Sequence, residues 1–234
     1  MKMINRLIVN YIMQNPQRVL NLTIEHLQII IIAVSIAVII GVPLGILLTR
    51  MKFLQGPVFG IAGVLYTIPA LALFAIMIPF FGLGVKPTVI ALILYSQLAI
   101  IRNTVTGIEN IDKSIIEAAT GMGMTKMELL LKIQLPLGLP VIMAGIRMVT
   151  VMAIGIATIA SYIGAGGLGD LIFLGMFTID TDIILAGAIP IIIMALVADK
   201  VLVMSQKRLE KWKTEPKKTT RMIKEVYDGS VHSK

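Results

Sequence analysis

Apolar residues in this chain gather into long runs separated by short polar stretches. Five runs, at 22–48, 56–81, 86–107, 138–162 and 183–204, are long and apolar enough to cross a bilayer as helices. The third is the least clean, because it carries Gln97, Arg102 and Asn103. Prolines and glycines recur inside the runs: Pro43, Pro69, Pro79, Pro190, Gly63 and Gly155. In a membrane bundle these serve packing and kinking, because neighbouring helices re-satisfy freed carbonyls. The pattern predicts an all-α polytopic bundle of five spans, with a sixth conceivable in the amphipathic, interfacial segment 1–20. Residues 21–205 form the membrane domain and 206–234 a basic tail.

Composition agrees with lipid as the solvent. The chain is 57% hydrophobic and 15% charged, with mean hydropathy +0.91. No compact apolar stretch with a small-residue cleavage site opens the chain, so the first span is expected to act as the targeting signal. There is no cysteine, and the two histidines, His26 and His232, lie far apart, so no metal site is expected.

The net charge of +8 reads as topology rather than nucleic-acid binding. With the N-terminus outside, the stretches 49–55, 102–137 and 205–234 hold fifteen Lys and Arg, against Lys86 alone in the outside loops 82–87 and 163–182. This places the C-terminus in the cytoplasm of a multi-pass plasma-membrane protein. Lys2, Arg6 and Arg18 argue weakly the other way.

The cytoplasmic stretch 109–137 is too long and too apolar for a simple linker. It predicts two short helices. Asp112 caps the first, which Gly121 and Gly123 stop. Thr125 caps the second, with Glu128 at capping-box spacing, and Pro136 opens the fourth span. Ile115, Ala119 and Met122 share one stripe of the first helix, with Lys113 and Glu117 pointing elsewhere. Such a helix can dock into a groove on a soluble partner or simply pack on its own bundle.

Glu117, Ala118, Ala119, Gly123, Ile133, Leu135 and Pro136 resemble the EAA signature of binding-protein-dependent ABC importer permeases, with every anchor at the family's spacing. YTIPALALFA (66–75), IIRNTVTGI (100–108), PVIMAGIR (140–147), ATIASYIGAGGLGD (157–170) and AGAIPI (186–191) are similar to permeases for glycine betaine, carnitine and choline. The resemblance covers about residues 20–205. Methionine-type permeases share the plan and are more distant in these stretches.

The resemblance implies that Glu117, Ala118, Ala119 and Gly123 contact an ATPase, with Ile133, Leu135 and Pro136 forming the exit into the next span. It implies a permease homodimer or a heterodimer with a paralogue, embedded in membrane lipid. Two cytoplasmic ATPases and a separate extracytoplasmic binding protein complete the assembly. The chain has no phosphate-loop motif. It is therefore expected to be a transport subunit, not an enzyme, and to bind no cofactor; ATP and magnesium are used by the partner.

Tyr66, Thr67, Pro69, Tyr95, Ser161 and Tyr162 are candidates for the translocation pathway, with lipid anchoring the rival role for the tyrosines. The glycine-rich 164–170 lacks the lysine of a phosphate cradle and reads as a tight turn near the binding-protein contact. Arg147 is expected to pair with a loop carboxylate or a carbonyl, while Asp199 and Lys200 snorkel at the inner end of the last span. Other small solutes stay open: methionine-like amino acids, ergothioneine-like betaines or bile acids. An ion-coupled carrier or a membrane enzyme is disfavoured, because no carboxylate relay or Asp/His/Glu cluster is visible.

Overall fold

The computed structural model describes residues 11–210. After a helical turn at 11–14, the elements are α1 (Pro16–Arg50), α2 (Gln55–Thr67), α3 (Ala70–Phe81), α4 (Val85–Glu109), α5 (Lys113–Gly121), α6 (Lys126–Glu128), α7 (Leu135–Ala160), α8 (Gly169–Thr178) and α9 (Thr181–Glu210). A short 3-10 turn (Lys52–Leu54) precedes α2, and a π turn (Leu129–Gln134) joins α6 to α7. No strand occurs among the described residues.

Four continuous helices are long and apolar enough to span a membrane: α1, α4, the α6–α7 rod and α9. The predicted second span at 56–81 is not one straight helix. It breaks into α2 and α3, which meet at 100°. The cause is local. Ile68, preceding Pro69, is extended (φ −66°, ψ 128°), because a following proline disfavours the helical region. Pro43, Pro79, Pro140 and Pro190 all lie inside helices that continue past them.

Helix α1 already begins at Pro16, within the segment 1–20 that the sequence sets apart; residues 1–10 and the tail beyond 210 lie outside the described residues. The predicted outer loop 163–182 contains α8, whose Leu171 and Gly175 are buried. Its ten residues are too short to span.

α4 is the central post, flanked by α1 and α7 and touched by both arms of the broken span. Ile29, Ile30 and Ala33 of α1, Leu73 and Phe74 of α3, Leu92 and Tyr95 of α4, and Ala153, Ile154 and Ala157 of α7 make the main core. Lipid is as apolar as leucine, so helix association here rests on close packing and hydrogen bonds. Both are visible. A Cβ on Gly45 would sit 2.6 Å from the Thr104 Cβ, and one on Gly145 2.6 Å from the Asn103 Cβ.

The polar residues that blurred the third run have partners. Gln97 donates to Ile93 O at 3.1 Å and reaches Ala37 O of α1 at 3.4 Å. Asn103 donates to Ala99 O at 2.8 Å, and the Arg102 guanidinium lies 5.6 Å from the Phe59 ring centre. His26, fully buried, bridges to Ile154 O of α7 at 3.1 Å. The two ends of the bundle are distinct. Arg50 at the end of α1 donates to Lys126 O, so the 109–137 hairpin sits at that end. At the other end Gly84 N–H donates to Ile163 O at 2.9 Å.

Candidate functional site

The hairpin 109–137 is built by local rules. The Asp112 carboxylate accepts from the Ser114 amide at 2.9 Å and caps α5. That bond holds the Asp112 carboxyl below the usual carboxylate range. The cap is therefore charged at neutral pH, and its stabilisation is lost only as pH falls through the lowered value. Asp112→Ala should speed amide exchange of residues 113–121 several-fold, while Asp112→Asn, still a good cap, should leave it nearly unchanged. Equal exchange in both variants would show the cap to be idle.

α5 ends in a Schellman motif. Met124 N–H reaches Ala119 O at 3.2 Å, Gly123 N–H reaches Thr120 O at 3.0 Å, and Gly123 is left-handed at φ 84°. Thr125 and Glu128 then form the predicted capping box, and Lys132 pairs with Glu128 at 2.9 Å. The second short helix does not stop before the span. It passes through the π turn directly into α7, with Leu135 N–H bonded to Leu130 O. Pro136 is the second residue of α7, as expected, but α7 continues the rod, and the π turn immediately before it marks where the regular hydrogen-bond ladder is interrupted. Ile133 and Leu135 are half-buried and Pro136 is exposed.

The predicted stripe on α5 is divided. Ala119 is buried at 2% exposure, whereas Ile115 and Met122 are exposed, at 40% and 72%. Glu117 and Ala118 are exposed on the same helix. Met127 and Leu131, on the adjoining α6–α7 rod, are exposed as well. Behind the hairpin lies a cavity of about 510 Å³, whose lining includes Glu117, Glu109, Arg50, Lys52, Lys113 and Lys126. Lys52 approaches Glu109 at 3.7 Å.

Four of the six pathway candidates meet at the α2–α3 elbow. The Tyr95 hydroxyl donates to Ile68 O at the break, and Thr67 Oγ1 donates to Val64 O at 2.8 Å. The Tyr66 ring meets Tyr95 edge-on at 6.3 Å and is 39% exposed, and Pro69 starts α3. Non-helical backbone at membrane depth is tolerated where protein covers it or water reaches it; Tyr95 supplies that cover.

Ser161 and Tyr162 sit apart, beyond the end of α7. Ser161 Oγ donates to Gly166 O at 2.7 Å and ties the glycine-rich turn, while exposed Tyr162 packs on Phe173 at 5.5 Å. Gly167 (φ 80°) donates to Glu25 at 3.3 Å, and a Cβ there would lie 2.9 Å from His26 Nδ1. That close approach explains the glycine.

Arg147 contradicts its expected pairing. It binds Asp199 of the last span through Nε–Oδ1 at 2.5 Å and Nη2–Oδ2 at 3.2 Å, not a loop group. Nothing in the local sequence signals a partner 52 residues away.

Comparison with known proteins supports the same picture. The family model described as "binding-protein-dependent transport system inner membrane component" matches residues 41–214. The choline transport system permease protein OpuBB of Bacillus subtilis is 46% identical over 202 residues, covering 86% of this chain and 93% of that protein. The carnitine transport permease protein OpuCB of Listeria monocytogenes is 44% identical over 222 residues, covering 95% and 98%. Among solved structures, an inward-facing form of the MetNI methionine ABC transporter superposes with a TM-score of 0.76 at 21% identity, covering 83% of this chain and 98% of that chain. At that identity the likeness shows the fold alone. The chain belongs to the family of binding-protein-dependent transport system inner membrane components, as a membrane-embedded permease subunit of an ATP-driven importer and not an enzyme.

Proposed function

We propose that this permease carries a quaternary-amine osmoprotectant, glycine betaine, carnitine or choline, into the cell. Relatives named for choline and carnitine transport, at 46% and 44% identity, support the solute class. The observation that carries the coupling mechanism is the capped hairpin 109–137. It holds Glu117 and Ala118 exposed, beside apolar Ile115, Met122, Met127 and Leu131, off the end of the bundle. An exposed apolar surface on a rigid mount is a docking face.

In this reading an ATPase grips α5, and the charge bias of the loops supports a cytoplasmic hairpin and C-terminus. Two copies, or this chain and a paralogue, enclose the path within the lipid bilayer. Two ATPases close on ATP and push the two hairpins together, and hydrolysis resets them. The α6–α7 rod is continuous from Lys126 to Ile163, so a push on α5 is passed along one stiff element. A separate binding protein delivers the solute to the opposite face, near the glycine-rich turn. ATP and magnesium serve the ATPase; this chain holds no cofactor of its own.

The test is uptake of labelled glycine betaine, carnitine and choline in vesicles containing the permease, its ATPase and its binding protein. ATP-dependent uptake of at least one is expected. Uptake that persists without the ATPase would point to an ion-driven carrier and defeat the reading.

A further inference from the structure

The Arg147–Asp199 pair is the one ion pair among the described residues that joins two spanning helices. Arg147 lies about 20 Å along α7 from Ala160, at 1.5 Å per residue, within the roughly 30 Å that a spanning helix needs, and Asp199 lies in the C-terminal half of α9. Its side chain is 41% exposed and that of Asp199 34%. A charged pair at that depth, open on one side, is costly against lipid tails, so it faces water or protein.

The surroundings fit a water-filled path. The pair lines a cavity of about 370 Å³ with Ala144, Met148 and Val151. Met148 and Val151 are exposed, at 54% and 36%, and one turn further a Cβ on Gly155 would meet nothing within 4 Å. Arg147 uses Nε and Nη2 on Asp199, leaving Nη1 without a partner among the described residues. The cavity therefore offers a guanidinium donor, a carboxylate and apolar walls within one small space.

That set matches the chemistry of a betaine. A guanidinium takes a carboxylate in bidentate fashion. A carboxylate beside methionine and valine suits a weakly hydrated quaternary ammonium. We propose that the Arg147–Asp199 pair is a transit site for the solute, in which Arg147 meets the carboxylate of a zwitterion and Asp199 meets the ammonium. This rests on the transport reading given above and adds a solute-binding site to it. Between solutes the two residues neutralise each other. Choline has no carboxylate, so it needs Asp199 and not Arg147.

The test uses the full importer with its ATPase and binding protein in vesicles. Arg147→Gln should lower glycine betaine uptake at least tenfold and choline uptake much less, whereas Asp199→Asn should lower both. Equal losses of the two solutes in Arg147→Gln would overturn the assignment. The exchanged pair, Arg147→Asp with Asp199→Arg, separates transit from bracing, because a brace works in either polarity. It should still assemble with the ATPase, judged by copurification, yet remain poor in glycine betaine uptake. Uptake of both solutes restored to wild-type level would show the pair to be a structural brace only. Absence of all osmoprotectant uptake by the wild-type importer, by contrast, would overturn the transport reading and this inference with it.

Discussion

Glu117→Arg should abolish ATP-driven uptake while leaving the amount of permease in the membrane unchanged. Glu117 is exposed on α5 and packs into no core, so its replacement does not threaten the fold. Glu117 also borders the cavity at the hairpin, together with Arg50, Lys52, Lys113 and Lys126. Exchange for arginine removes one of the few acidic groups there, adds another cation and reverses the charge shown to a docking ATPase. Like charges at such range repel, and rim charges govern association and register. Gly123→Val acts on the same element by another route. A β-branched residue at φ 84° is strained by ~1–2 kcal/mol, which loosens the Schellman turn that ends α5. Uptake should fall in both variants, with ATPase binding weakened more by Glu117→Arg. Full uptake in both would mean that α5 is only a surface helix packed on its own bundle.

The second large effect concerns the base of the hairpin. Gly107 of α4 and Gly138 of α7 pack backbone to backbone: a Cβ on Gly138 would lie 2.8 Å from Gly107 O, and one on Gly107 2.8 Å from Gly138 O. The neighbouring atoms are backbone of a second helix and cannot turn aside, so the helices must part. Overpacking of this kind costs about 1–3 kcal/mol. It falls where the central post meets the rod that leads into the hairpin. Gly138→Ala should reduce the permease recovered folded from membranes, and Gly138→Val should nearly eliminate it. Thermal unfolding of the solubilised protein checks this; an unchanged midpoint in Gly138→Val would contradict the close crossing.

How much of this was legible in the sequence follows from range. The spans at 86–107 and 138–162 were readable because lipid-facing helices need long apolar runs. The caps at Asp112 and Thr125 and the stop at Gly123 were readable because each acts within a few residues. The elbow at Ile68 was hidden, since hydropathy sees 56–81 as one run and proline also lies inside helices that continue past it, as Pro43 does. α8 was hidden because a largely apolar helix of ten residues falls short of a span and has no side-chain cap. The joining of α6 to α7 through a π turn, and the burial of Ala119 against the exposure of Met122, depend on packing between elements. So does the Arg147–Asp199 pair, whose members are far apart in sequence. The same holds within the pathway candidates: Tyr66, Thr67, Pro69 and Tyr95 converge because the chain folds back at the elbow, whereas Ser161 ties a turn elsewhere.

The chain has no cysteine, which permits a direct measurement of coupling. A single thiol introduced as Ala118→Cys, on the exposed face of α5, would be paired with single-cysteine variants of the ATPase and joined by a short bifunctional reagent in the assembled importer. Ready cross-linking that changes in yield between ATP-bound and ATP-free states is the predicted result, because the hairpin then sits in the ATPase and moves with it. No cross-link from position 118 in an importer that still transports would contradict coupling through this hairpin.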